Sequence, residues 1–367
     1  MGSATCYHLA KRGIKVLGIE QYDLPHNQGS HHGKSRMIRQ AYYEHPDYVP
    51  LLKRAYQLWE ELEKAGQKKI LHRTGALYLS HPAGSVVEGS LRSAREHRLP
   101  HRHLKPEEIH TDFPPFSVPE TFEGFFEKDG GYVLPEMGVE EHAWQACSDG
   151  AKILTNTPAT RWSCGNHSVE VETKEGMVEA DQLIITTGAW TGKVMKDLGI
   201  DLAVTRQVQA WFEPTEDTER FNPENFPCWF IETDPPHGHY GFPILPGRKG
   251  LKVAEHKPGE VIPLSEIGRA MADPTEVELA KLQTVMNRYL PGSAHRLLNA
   301  CTCYYTNSPD QHFIVGRHPL HDRVSFATGF SGHGYKFAPV MSEILADLAT
   351  RGKTDHPIAF LSPKRLG

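Results

Sequence analysis

Hydrophobic positions in this chain recur at two spacings, and the changeovers between them lay out the elements. Residues 48–66 repeat at helical spacing, with Leu51, Leu52, Ala55, Tyr56, Leu58, Trp59 and Leu62 on one side, so they predict an amphipathic helix whose stripe belongs to the core. Further helices are expected from Gly2 to a closing Gly13, over 85–99 and 138–150, from an Asp273 cap with Pro274 at the first helical position to Leu290, and over 337–348. Short apolar or alternating runs bounded by glycine, proline and asparagine predict strands at 14–20, 74–80, 151–154, 168–173 and 177–180. Two more run into glycine turns, Leu-Ile-Ile-Thr-Thr before Gly188 and Val324 to Thr328 before Gly329, Gly332 and Gly334. Between them, 206–213, 228–232, 240–244 and 251–256 read as an antiparallel sheet with a hairpin turn at 246–249.

Strand–helix units of the nucleotide-binding kind thus stand at both ends and in the middle of the chain. The predicted class is α/β, a Rossmann-like domain interlaced with an antiparallel-sheet substrate domain. The expected division gives residues 1–72, 138–205 and 300–367 to the first domain, and 73–137 and 206–299 to the second. A length of 367 residues exceeds what one core usually fills, which agrees with two domains.

Charge and cysteine usage narrow the setting. A net charge of -5 gives no reason to expect nucleic acid or an anionic membrane as partner. No apolar run reaches the length of a membrane span, no signal-peptide core opens the chain, and a reducing cytoplasm is the expected compartment. Cys6, Cys147, Cys164 and Cys228 lack paired spacing, so the Cys301-x-Cys303 pair predicts neither a disulfide framework nor zinc. The 22 histidines are scattered and form no expected metal set.

Candidate chemistry gathers in five places. Gly2, the helix after it and a strand ending on Glu20 form the rear half of a dinucleotide-binding unit, in which Glu20 would accept from a ribose hydroxyl. The segment from Gly29 to Tyr42 is dense in donors, and its Arg36 and Arg39 share a face if that turn is helical. Beside His31 and His32 they read as an anion or cofactor site, against the plainer reading of surface salt bridges. Gly188 offers a second close approach of backbone to a dinucleotide. Lys336, in the first turn of a helix, is disfavoured by the macrodipole unless an anion offsets it; the alternative is a lysine reaching out to solvent. Lys252 is either an edge-strand gatekeeper or an inward-facing cation.

In chain order, P-H-N-Q-G-S-H-H-G-K-S-R-M-I-R-Q-A-Y, T-T-G-A-W, H-Y-G-F-P, L-K-V-A-E-H, C-Y-Y-T-N-S-P-D-Q-H-F and G-F-S-G-H-G-Y-K-F resemble the monomeric sarcosine oxidase family, which includes N-methyltryptophan oxidase and peroxisomal pipecolate oxidase. The resemblance implies a glutathione-reductase-type FAD domain, with the flavin held covalently through its 8α-methyl group by Cys303. It implies that Arg39 and Lys336 grip a substrate carboxylate, that Tyr240, Tyr305 and His256 line the pocket, and that Lys252 activates oxygen beside the flavin. Gly2, Glu20, His32, Arg36, Gly188 and Gly332 fall on the FAD side. The implied reaction oxidises a secondary amine, an N-methyl amino acid such as sarcosine, to an imine that hydrolyses, with O2 reduced to H2O2 by a monomeric enzyme. Family members begin with a central strand and two further glycines that this sequence lacks, so the expected consequence is an amino-terminal truncation with an unpaired slot beside residues 14–20. Lys34 also stands where several relatives have an acid. Two competing expectations are a dehydrogenase with another electron acceptor, against which Lys252 argues, and a cofactor-free remnant with a binding role, which the missing strand allows.

Overall fold

The computed structural model describes the whole chain except Ala83, Glu216, Asp217, Pro236, Ala270 and Gly367. The helix Tyr48–Gly66 forms as its periodicity dictates, and all seven residues of the predicted stripe are buried. Its Trp59 Nε1 donates to the Lys336 carbonyl at 3.0 Å, tying the helix to the turn that carries that lysine. The helix Gly2–Lys11 packs between Pro135–Ser148 and Ala338–Arg351, and the last buries Val340, Met341, Ile344 and Leu345.

The parallel strands come in two pieces. Leu17–Ile19 pairs with Lys152–Leu154, and Leu183–Ile185 pairs with Val324–Thr328, which is joined antiparallel by Ile314–Arg317. Among the described residues Leu17–Ile19 and Leu183–Ile185 each have a single strand neighbour, and both line one large cavity.

The largest sheet has eight strands, in the order Arg296–Asn307, Ala203–Glu213, Leu251–His256, His237–Gly241, Cys228–Asp234, Ala76–Ser80, Glu123–Glu127 and Arg102–Leu104. It is mixed rather than purely antiparallel, because Ala76–Ser80 runs parallel to Cys228–Asp234. The chain between them is long enough for the crossover that a parallel pair needs. Register decides what this sheet presents. Thr205 faces Tyr305, Gln207 faces Cys303, Gln209 faces both Cys301 and Ala254, Trp211 faces Lys252, and Tyr240 faces Ala254. Since paired residues share a face and neighbours alternate, Gln209, Tyr240, Lys252, His256, Cys303 and Tyr305 all stand on the same side.

Several local expectations are corrected. Arg36–Ile38 is a strand and not a helical turn, paired with Gly131–Val133. Strand His237–Gly241 starts and ends three residues earlier than expected, and its ladder stops short of Pro243, which has no donor to continue it. The helix Glu276–Tyr289 is capped by Thr275, not Asp273: Thr275 Oγ1 accepts from Glu278 N at 3.3 Å while the Glu278 carboxylate accepts from Thr275 N at 2.8 Å. Lys336 sits in a 3-10 turn, Tyr335–Phe337, ahead of the final helix rather than inside it. The strand Ala159–Cys164 was not anticipated, since its mostly exposed polar residues carry no apolar alternation.

Candidate active site

A cavity of about 1490 Å³ separates the two parallel pieces, and Gly2, Glu20, Arg36, Gly188, Gly332 and Cys303 are among the residues that line it. This exceeds the roughly 300–1,000 Å³ of sites for drug-sized ligands, and part of the space is the gap between the single-neighboured strands Leu17–Ile19 and Leu183–Ile185. The wall is built for close approach at Gly332: its φ is +80°, and a Cβ there would collide with the Tyr305 ring. Against the large cavity lies a small chamber of about 60 Å³, and Arg36, Tyr240, Tyr305, Gly332 and Tyr335 line both. A ring system ending at that common wall would therefore be presented to whatever enters the chamber.

The two arginines expected on one helical face are separated by the strand. Arg36 donates to the carbonyls of Ser30 (2.8 Å), His32 (2.6 Å) and Ser35 (2.8 Å), bracing the 30–35 loop. Arg39 is buried in the small chamber, with its guanidinium 4.1 Å from the Tyr42 ring centre and 4.6 Å from that of Tyr43. Its Nη2 lies 2.5 Å from Glu44 Oε2, whereas its Nε is a buried donor without an acceptor and Glu44 Oε1 is a buried acceptor without a donor.

Lys336 shares the Tyr42 ring with Arg39, its Nζ 5.2 Å from the centre. It donates to the His333 carbonyl at 2.8 Å and to Tyr42 Oη at 3.5 Å, and among the described residues no carboxylate pairs with it. Burial first, and the Arg39 charge second, push its pKa well below the ordinary 10.5. The solvent-reaching alternative is thereby overturned: the side chain is 5% exposed. His333 completes this wall, its Nε2 3.0 Å from the Gln311 carbonyl and its Nδ1 2.5 Å from Tyr42 Oη. Burial and then Lys336 hold it far below the usual histidine pKa, so it is neutral, donating through Nε2 and accepting through Nδ1. His256 Nδ1 lies 3.3 Å from Tyr305 Oη, and burial together with His333 lowers its pKa to about 3.

Lys252 is 2% exposed and occupies an interior strand, which overturns the gatekeeper reading. Its Nζ donates to the carbonyls of Gly33 (2.7 Å) and Ser35 (2.9 Å) between the rings of Trp211 and Phe242. Burial, followed by Arg36, drives its pKa well below 10.5. Lys252 and His32, whose Nε2 is 2.9 Å from the Thr302 carbonyl, stand behind the cavity walls and line neither space. Cys303 is 3% exposed and lines the large cavity, while Cys301 does not; all six cysteines are free. Glu20 Oε1 accepts from Tyr22 N at 3.0 Å at the end of its strand, on the cavity wall.

Sequence reasoning missed Glu44, His333 and Gln209. Glu44 follows Arg39 by five residues and His333 precedes Lys336 by three, so proximity to a predicted buried cation was the one usable signal. One further cluster, Asp197 with His318 and His321, lies at the cavity edge. There Leu320 N donates to His318 Nδ1 at 3.2 Å, which leaves the ring proton on Nε2 facing Asp197 Oδ1 at 3.4 Å, the arrangement of a neutral imidazole turned towards a carboxylate rather than of a ligand set.

The chain as a whole is similar to known proteins. The family model described as DAO, FAD dependent oxidoreductase, matches residues 1–348. The monomeric sarcosine oxidase of Streptomyces avermitilis is 42% identical over 368 residues, covering 100% of this chain and 95% of that protein. The N-methyl-L-tryptophan oxidase of Salmonella newport is 34% identical over 367 residues, with 100% and 95% covered. Among solved structures, the open form of NikD, an unusual amino acid oxidase essential for nikkomycin biosynthesis, has a TM-score of 0.83 at 22% identity over 98% of this chain and 94% of that one. This chain therefore belongs to the DAO family of FAD-dependent oxidoreductases, with monomeric sarcosine oxidases and N-methyl-L-tryptophan oxidases among its relatives.

Proposed function

We propose that the chain oxidises small secondary amino acids, sarcosine foremost, with FAD attached through Cys303 and dioxygen as the electron acceptor. The observation that carries this reading is the surplus of buried cations in the small chamber: Arg39 has a donor without an acceptor, and Lys336 has no carboxylate among the described residues. A ligand carboxylate satisfies both. The large cavity is roomy enough for FAD, and its glycine-lined approach and the thiol on its wall suit that group. Gly2, Glu20, Arg36, Gly188 and Gly332 would hold the group, with His32 bracing the strand of Cys303 from behind. When bound, FAD supplies a two-electron acceptor for the carbon beside the substrate nitrogen and hands the electrons to dioxygen.

The residues supply position and charge. Arg39 and Lys336 fix the carboxylate, which aims the rest of a short substrate towards the wall formed by Tyr240, Tyr305 and Gly332. Two buried positive charges also disfavour the ammonium form of the bound amine, favouring the neutral species whose lone pair assists oxidation. His256, held neutral by burial, adds no third charge. A chamber of about 60 Å³ walled by Tyr43, Tyr78 and Phe230 accommodates a glycine-sized backbone far better than an indole side chain. Lys252 lies on the same sheet face behind the cavity wall, and its buried ammonium, when protonated, is suited to stabilise through its field charge that appears on oxygen. We take the chain to act as a monomer in the cytoplasm, with the cofactor held by residues 1–72, 138–205 and 300–367.

The test is hydrogen peroxide formation from sarcosine, N-methyl-L-tryptophan, L-pipecolate and L-proline. Sarcosine should show the highest kcat/KM and N-methyl-L-tryptophan the lowest. Preference for the indole substrate would overturn the size argument, and peroxide from none of the four would overturn the function.

A further inference from the structure

We infer that Gln209 is the positioning residue that holds Cys303 for covalent attachment of the flavin, an inference that rests on the FAD reading above. Gln209 lies on Ala203–Glu213, where its register partner is Cys301 rather than Cys303. Its side chain nevertheless reaches diagonally along the shared face, and Nε2 donates to Cys303 Sγ at 3.1 Å. Both groups are buried, Gln209 1% and Cys303 3% exposed. The other end of the same amide has nothing to hold it: Oε1 is a buried acceptor without a donor. The contact with sulfur is therefore what its Nε2 satisfies in this structure.

The surroundings keep the amide there. Gly33 has φ +104°, and a Cβ at that position would collide with Gln209 Oε1, so the loop closes directly over the amide. The carbonyls of Gly33 and Ser35 in turn receive Lys252 Nζ, which clamps the loop onto the sheet. Cys303 faces the large cavity from the far side of this brace. The N–H donor fixes the sulfur against the amide on one side and leaves its other lone pairs free on the side of the cavity that Cys303 lines.

The attachment balances as follows. The sulfur bonds to the 8α carbon of FAD, the thiol and that carbon each lose one hydrogen, and the two electrons and two protons pass to dioxygen as hydrogen peroxide. Gln209 takes part in no bond change. It sets where the sulfur stands.

The experiment follows flavin that stays with the protein after acid precipitation, and its location in tryptic peptides, after the full flavin-free chain is mixed with FAD in air. The unvaried chain should acquire the adduct on Cys303. Gln209→Met, close in length but without a donor, should bind FAD non-covalently with unchanged affinity and form the adduct about ten- to a hundredfold more slowly, as loss of a hydrogen bond to a charged group implies. Unchanged FAD affinity with a slower attachment step separates positioning of the sulfur from a general structural loss, which would weaken both. Attachment by Gln209→Met at the unvaried rate overturns the inference and leaves Cys303 untouched as the attachment residue. An adduct that persists in Cys303→Ser, or appears on another residue, overturns the underlying reading instead. Should Gln209→Met fail to take up FAD, iodoacetamide alkylation of Cys303 in Gln209→Asn, whose amide is too short to reach, decides with the same sign: slower than in the unvaried chain supports the inference, equal refutes it.

Discussion

Replacing Lys336 by methionine separates what this lysine does for a ligand from what it does to the fold. The side chain is 5% exposed, touches no carboxylate among the described residues, and shares the Tyr42 ring with Arg39. Losing one member of a buried charge-paired site costs about 2–5 kcal/mol of binding, which at about 1.4 kcal/mol per decade weakens a small carboxylate such as acetate by roughly 30- to 4,000-fold. Stability should move the other way. A buried cation beside a second cation is a cost, and an apolar group of similar length removes it, a gain on the order of 1–4 kcal/mol. The pH dependence follows from the direction of the shift: with its folded pKa well below 10.5, Lys336 takes up its proton more readily unfolded than folded. Its cost is thus full below the folded pKa and is relieved as pH climbs towards 10.5, so the advantage of Lys336→Met should shrink steadily as pH is raised towards 10.5. Acetate titration followed by the flavin spectrum gives the first quantity, and ligand-free melting across that pH range gives the second. Acetate affinity within twofold of the unvaried chain, or a variant less stable at neutral pH, would refute the reasoning.

Three other outcomes are expected. Lys252→Met should slow reoxidation of reduced flavin by dioxygen by orders of magnitude while anaerobic reduction by amine changes little; equal losses in both half-reactions would leave Lys252 with only its hold on the 33–35 loop. His142, buried with Nδ1 2.6 Å from the Gly138 carbonyl and Nε2 unpartnered, has its pKa lowered from 6.5 to about 3 by burial, so the stability of its neutral form is whole above pH 6.5 and is lost as pH falls towards 3. His142→Gln should flatten the acid limb of the melting curve by about 2 kcal/mol between neutrality and roughly pH 5, and an unchanged limb would show that the ring is already hydrated. Gly89→Ala should cost about 1–3 kcal/mol, because its Cβ would collide with the Tyr43 carbonyl, and should also raise KM by disturbing the ring over Arg39; a stable variant with raised KM alone would contradict the coupling.

Much of the scaffold was legible from periodicity because burial is one-sided in those elements. Tyr48–Gly66 and Leu251–His256 carry their own pattern and form with the bounds the sequence implies. Arg36–Ile38 was misread because three residues hold too little pattern to oppose a polar context; its pairing with Gly131–Val133, nearly a hundred residues away, decides its conformation. The parallel contact of Ala76–Ser80 with Cys228–Asp234 was hidden for the same reason. Lys252 shows the limit most clearly, since an edge lysine and an interior one have the same neighbours in sequence, and only the strands on either side tell them apart. Glu44, His333 and Gln209 left no mark because their roles depend on partners brought in by other elements.

Anaerobic mixing of the flavin-loaded chain with sarcosine tests the central claim most directly. The account predicts that the visible flavin band bleaches, that it returns when air is admitted with one hydrogen peroxide per amine consumed, and that acetate slows the bleaching by competing for Arg39 and Lys336. A flavin that stays oxidised under saturating sarcosine, or bleaching that acetate does not touch, would contradict it.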